Sequence, residues 1–215
     1  IISYLRTALE PLPTASNQLP LPPAEPRPTA PRRQTKEFDK QQAHIVLGYQ
    51  GVSLTNTDRY VLKMIDAILS RQGGRLFYEL RELRALAYSV TAFSVEGLAP
   101  GVFGMYVGTD PNKIDEAVSA AREELQRLKD DLVGQDELEQ AKKYLTGSYE
   151  ISLQSHGAQC EEMAFNELYG LGYDNGRRYL EALNTVTPED MRRVARLRDP
   201  GNRAFPHCFD RTDIT

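Results

Sequence analysis

The segment from Gly73 to Val90 limits the fold more than any other stretch of the chain. Two consecutive glycines, Gly73 and Gly74, relieve the steric limit where a preceding helix must end. Leu76, Leu80 and Leu83 then recur at helical spacing, so that a short helix of about two turns can bury one side. From Leu86 the composition turns to β-forming residues. Read with a period of two, Tyr88, Val90 and Ala92 fall on one face of a strand and Ser89, Thr91 and Phe93 on the other. The segment therefore predicts a glycine hinge, a charged helix and a strand, with Arg81 and Tyr88 seven residues apart across the junction. An arginine and a phenol so placed can bind and polarise a carbonyl oxygen.

The flanking sequence supplies the partners for that unit. Residues 43–49 are almost continuously apolar, which fits a strand covered on both faces. Val61, Met64, Ile65, Ile68 and Leu69 form a helical stripe ending near Gly73. The strand from Leu86 to Val95 is joined through residues 96–101 to Val102–Thr109, and the Pro100-Gly101 turn argues a hairpin. Asp110-Pro111 is a cap followed by a first-turn proline, opening a helix with Ile114, Ala117, Val118, Ala121, Leu125 and Leu128 on one face. Leu138, Ala141, Leu145 and Ser148 share a second helical face, and Cys160, Ala164, Leu168 and Leu171 a third. Thr187-Pro188-Glu189-Asp190 reads as a capped helix start with Met191, Val194 and Ala195 turned inward. Ala204–Phe209 is expected to be a closing strand, confined to a sheet edge by Pro206. This order predicts an α+β fold with an antiparallel or mixed sheet and helices packed mainly on one face.

At Gly74–Val90 the chain resembles the C-terminal-type, non-zinc domain of the M16 (pitrilysin-like) zinc metallopeptidases, a family that includes mitochondrial processing peptidase. The matching pattern is a glycine turn, Arg-Leu-Phe, Leu-Arg and Leu-Ala-Tyr-Ser-Val. The likeness extends to residues 42–49, 137–142 and 186–190, and departs at Ala85, where many relatives carry Gly, and at the polar C-terminus. The resemblance implies that a zinc-bearing half, on the same polypeptide or a partner subunit, holds a His-x-x-Glu-His helix. It also implies that Arg81 and Tyr88 contact the backbone of a peptide substrate facing that zinc. Without a zinc motif this chain is expected to be inactive alone, and catalysis belongs to the whole protein or complex. The alternative is a relative that kept the fold and lost catalysis, serving as a scaffold or regulatory interaction module. A homodimer stays open on both readings.

Composition narrows the field. The net charge of −4 gives no electrostatic reason to expect nucleic acid. No apolar run approaches the roughly 20 residues that cross a bilayer, so no membrane span is expected. Ile2, Leu5 and Leu9 read as the end of a preceding helix over residues 1–10, which predicts a fragment of a longer protein with any targeting signal upstream. The compartment of this soluble piece, cytoplasmic or periplasmic, stays open. Eight of the thirteen prolines lie between Pro11 and Pro31, so residues 11–35 are expected to form an extended linker. The domain proper is expected over 36–215.

The residues with chemistry have plainer readings beside the functional ones. Arg81 can make a surface ion pair with Glu79 or Glu82 while Tyr88 fills the core, and Arg84 on the same helix competes for the substrate role. The three histidines, His44, His156 and His207, include no pair one turn apart, so no metal ligand is assigned in this chain and any zinc is expected in the catalytic partner. His156 with Cys160 and His207-Cys208 is a weak rival metal site, and Cys160 and Cys208 read as unpaired thiols. His44 is expected to be a hydrogen-bonded structural residue. No Gly-Lys-Ser/Thr follows Gly73-Gly74, so the pair is a hinge and not a phosphate loop.

Overall fold

The computed structural model describes residues 1–11, 23, 26, 33–36, 38, 40–198 and 205–207. Most of the linker expected over residues 11–35 and most of the C-terminal tail, including Cys208, lie outside the described residues. The elements run α1 (Ile2–Leu9), β1 (Ala43–Gln50), α2 (Asp58–Ser70), a π-helix (Phe77–Leu83), β2 (Ala87–Val95) and β3 (Val102–Thr109). A 3₁₀ turn (Pro111–Lys113), α3 (Ile114–Asp130), α4 (Gln135–Ser152), α5 (His156–Leu168), α6 (Asn175–Thr185), α7 (Pro188–Arg198) and β4 (Phe205–His207) follow. The strands form one antiparallel sheet in the order β2-β3-β1-β4. It is the α+β arrangement read from the sequence, with Pro206 on the edge strand.

The core lies between this sheet and a layer of helices. Ile45, Leu47 and Tyr49 of β1 and Phe103, Met105 and Val107 of β3 are buried on one sheet face. They meet Met64, Ile65, Ile68 and Leu69 of α2 and the Ala117, Ala121, Leu125, Leu128 stripe of α3. Each large side chain so buried stabilises the fold by about 1.5–3 kcal/mol over its exposed state. The other sheet face is more open. Val46 and His44 are half-buried, the His44 ring stacks on Tyr106, and its Nδ1 lies 2.6 Å from the Tyr106 hydroxyl. The expectation that β1 is covered on both faces is therefore corrected: one face is sealed and the other carries a partly exposed polar and aromatic ladder.

Two further expectations fail for identifiable reasons. Leu83 is 58% exposed although Leu76 and Leu80 are fully buried. The helix is wound as a π-helix, closed by Arg84 N–H donating to Glu79 O at 3.2 Å, five residues back. Such winding has more than 3.6 residues per turn, so the three-residue step from Leu80 to Leu83 falls well short of a full turn. The α5 stripe fails more completely, because α5 buries none of its residues: Cys160 and Ala164 are exposed and Leu168 is 72% exposed. On α4 only Leu138 and Ala141 are buried, and Ser148 is exposed.

The caps behave as their chemistry dictates. Asp110 accepts from Asn112 N–H at 2.8 Å. Thr187 and Asp190 form a reciprocal box: Asp190 N–H donates to Thr187 Oγ1 at 3.1 Å, and the Thr187 hydroxyl donates to Asp190 Oδ2 at 2.8 Å. Met191, Val194 and Ala195 of α7 are buried behind it. No helix among the described residues is long and apolar enough to cross a membrane.

Two measurements test this fold. Ala85 has φ +46°, a left-handed conformation costing a non-glycine residue about 1–2 kcal/mol. Ala85→Gly should therefore raise stability by about 0.5–1 kcal/mol in urea unfolding, after the entropic cost of glycine. Gly74→Ala should lower it by more than about 2 kcal/mol, because a Cβ there would sit 2.8 Å from the carbonyl oxygens of Ile68, Leu69 and Arg71.

The Thr187 hydroxyl, and then Arg193, hold the Asp190 carboxyl below its ordinary range. A depressed folded pKa gives stability that is present above the unfolded value near 3.9 and is lost as pH falls through the folded value. Asp190→Asn should flatten that part of the acid-unfolding curve. Thr187→Ala should cost about 1 kcal/mol at pH 7.

Candidate functional site

The helix-to-strand junction is held from every side. Gly73, at φ +80°, turns the chain out of α2, and Gly74 N–H donates back to Arg71 O at 2.5 Å. Arg75 then makes a two-pronged ion pair with Glu137 of α4, Nε to Oε1 at 2.8 Å and Nη2 to Oε2 at 2.6 Å. Arg84 closes the helix by donating from Nε to Glu79 at 2.9 Å and from Nη2 to Glu123 of α3 at 2.8 Å. Neighbouring carboxylates push both guanidiniums above their ordinary pKa, chiefly Glu137 for Arg75 and Glu123 for Arg84.

Backbone geometry completes the junction. Leu86 N–H donates to Leu80 O at 2.7 Å, a capping loop one residue wider than the usual six-to-one closure because the helix is π-wound. The carbonyl of Ala85 accepts from Lys113 Nζ at 3.2 Å, and that of Leu86 from the buried Thr109 hydroxyl at 2.6 Å. The β2–β3 ladder then slips between Ala87 and Ser89, leaving Tyr88 as the extra residue of a bulge.

This bulge corrects the facing read from the sequence. Val90 and Ala92 pack toward the core, but Tyr88 is 60% exposed and does not share their face. The plain reading of Tyr88 as a core residue therefore does not hold. Nor does Arg81 pair with Glu79 or Glu82 among the described residues. Glu79 is taken by Arg84, while the exposed Arg81 guanidinium rests 5.2 Å from the Phe77 ring centroid. Arg84, the competing arginine, is occupied by two carboxylates.

The result is a set of exposed side chains on a fixed support: Arg81 and Tyr78 on the π-helix and Tyr88 at the bulge. No hydrogen bond joins Arg81 to Tyr88 among the described residues. Tyr78, 55% exposed, and Phe77 beneath Arg81 were not singled out by sequence reasoning. The signal was the aromatic pair inside the run itself.

The residues with metal-binding chemistry stay apart. His44 is engaged with Tyr106, and His156 and the exposed free thiol of Cys160 lie on α5. The side chain of His207 and all of Cys208 lie outside the described residues. Among the described residues no group of three or more His, Cys, Asp or Glu side chains is placed to hold a metal ion. The described residues therefore do not fit a zinc centre.

Comparison with known proteins gives one family. The model of the peptidase M16 inactive domain matches residues 1–145. An uncharacterized zinc protease of Streptomyces coelicolor is 30% identical over 206 residues, covering 91% of this chain and 44% of the relative. The uncharacterized zinc protease YmxG of Bacillus subtilis is 29% identical over 75% of this chain and 40% of its own length. The chain thus spans less than half of either relative. Among solved structures, a protease from Helicobacter pylori superposes with a TM-score of 0.82 at 19% identity, over 96% of this chain and 50% of its own. A peptidase M16 inactive domain from Pseudomonas fluorescens does so with 0.74 at 20% identity, over 85% and 44%. With the α+β fold in agreement with these matches, the chain belongs to the M16 peptidase family and corresponds to its inactive domain.

Proposed function

We propose that this chain is the non-catalytic substrate-chamber domain of an M16-type zinc metallopeptidase, binding peptide substrate opposite a zinc site carried by another domain or subunit. The observation that carries the reading is the division of labour among the arginines of one short segment. Arg75 and Arg84 are consumed by carboxylates that fix the junction, whereas Arg81 is left in solvent with only an aromatic ring beneath it. A guanidinium in that state has its fork of donors free for the carbonyl oxygens of an extended peptide.

Tyr88 adds a phenol donor whose direction is set by the bulge. In the assembled enzyme its hydroxyl would donate to the carbonyl oxygen that becomes negative as water attacks. The chain's own residues do not move a proton in this scheme. They would bind and orient the peptide, and a zinc held by the other half would be the source of the activated water.

A second reading, an inactive scaffold, is favoured by α5, which buries none of its residues and exposes Met163, Phe165 and Leu168. An exposed apolar surface of this kind fits a protein partner.

The two readings part in one experiment. The chain is combined with the zinc-bearing half and cleavage of a fluorogenic unstructured peptide is followed. Arg81→Ala should lower kcat/KM by roughly tenfold or more, as for loss of a charge-assisted hydrogen bond, and Tyr88→Phe should lower kcat more than it raises KM. Arg84→Ala should act mainly through stability, seen as a lower Tm. An active mixture in which Arg81→Ala has no effect would overturn the role of Arg81, and an assembled but inactive mixture would favour the scaffold.

A further inference from the structure

A cleft of about 550 Å³ opens between the first turns of α2 and the arm formed by α4, α5 and α6. Its size falls within the range of small-ligand sites. Aromatic rings line it: Tyr149 and Tyr179, with centroids 5.0 Å apart, and the stacked pair Phe165 and Tyr169, 5.9 Å apart. Phe165 and Tyr169 are 47% and 37% exposed, so that pair is open to an occupant.

Arg59 lines the same cleft and is only 8% exposed. Its guanidinium donates to the Tyr60 hydroxyl at 2.6 Å, lies 4.6 Å from the Tyr60 ring centroid, and reaches Asn175 Oδ1 at 3.5 Å. Among the described residues no carboxylate stands within ion-pair distance of it. Arginine is almost never this buried without an anionic partner, because removing the charge from water is costly unless an opposite charge offsets it.

The acidic side chains around the cleft do not fill that role. Glu96 is paired with Lys63 at 3.3 Å, Glu162 accepts from the Tyr149 hydroxyl and from Asn166, and Glu161 is exposed. Burial holds Tyr179 protonated, its pKa pushed up to about 12, so its hydroxyl remains a donor beside Arg59.

We infer that this cleft is a peptide-docking site in which a carboxylate of the ligand pairs with Arg59 while a neighbouring apolar side chain lies against Phe165 and Tyr169. The carboxylate supplies the missing counter-charge, and the aromatic wall supplies the area that a half-exposed helix leaves unburied. The inference uses neither Arg81 nor Tyr88, so the cleavage experiment above can fail without touching it.

The test is fluorescence anisotropy with the purified chain and no zinc-bearing half. Three peptides labelled at the N-terminus with the electrically neutral dye BODIPY are compared: Gly-Gly-Ser-Ala-Phe as the free acid, the same peptide as its C-terminal amide, and Gly-Gly-Glu-Ala-Phe as the amide. The free acid or the glutamate peptide should bind at least about tenfold more tightly than the uncharged amide, and which of them does so identifies the carboxylate as a chain end or an acidic side chain. Arg59→Met should reduce that binding to the level of the uncharged amide, and Phe165→Ser, at an exposed position, should weaken it several-fold with unchanged thermal unfolding. Equal binding of all three peptides, no binding up to about 1 mM, or full binding by a folded Arg59→Met chain would overturn the inference. If Arg59→Met fails to fold, the acid-against-amide comparison and Phe165→Ser still decide it.

Discussion

The pairing of Arg84 with Glu79 and Glu123 is the contact from which the rest of the junction follows. One prong closes the π-helix on itself and the other ties that helix to α3. Once those positions are set, the chain has two residues, Ala85 and Leu86, in which to reverse direction before β2 begins, and Ala85 does so at a positive φ. Exposed ion pairs contribute little singly. Here Arg84 acts together with Arg75–Glu137, the Lys113 and Thr109 contacts to two carbonyls, and the burial of Leu80 and Leu86, so the geometry is over-determined.

That over-determination fixes the backbone that carries Arg81 and Tyr88. Backbone in sparsely populated conformations persists only where its surroundings enforce it, and this junction concentrates three such features in a dozen residues: π winding, a left-handed alanine and a strand bulge. Each re-aims a side chain. The π winding turns Leu83 outward, and the bulge takes Tyr88 off the face shared by Val90 and Ala92.

Much of the fold was legible because period and burial agree. The α2 and α3 stripes, the β2–β3 hairpin, the Asp110 cap and the Thr187–Asp190 box all follow from local spacing. The π winding was not legible, since Leu76, Leu80 and Leu83 satisfy an α period, while the contacts that accompany the wider helix reach to Glu123 of α3 and Glu137 of α4, far along the chain. The facing of Tyr88 was lost for a similar reason: a bulge is a property of two paired strands, and one strand's sequence does not display it. The α5 stripe misled because an apolar helical face reads the same whether it packs against its own chain or faces outward. Arg59 was invisible too, as an arginine in a first helical turn gives no sign that its head is buried. The resemblance to the M16 peptidases singled out Arg81 and Tyr88, but it could not say that Arg84 was already spoken for.

Gly74 has a consequence for how a substrate could be gripped. With three carbonyl oxygens from the end of α2 crowding the position where a side chain would start, the last turn of α2 and the first turn of the π-helix meet without slack. The two helices act mechanically as one bent rod, anchored along its length in the core. Arg81 therefore has no flexible loop of its own with which to reach a peptide. On the proposed role, contact would come only from this domain moving as a whole toward its partner half.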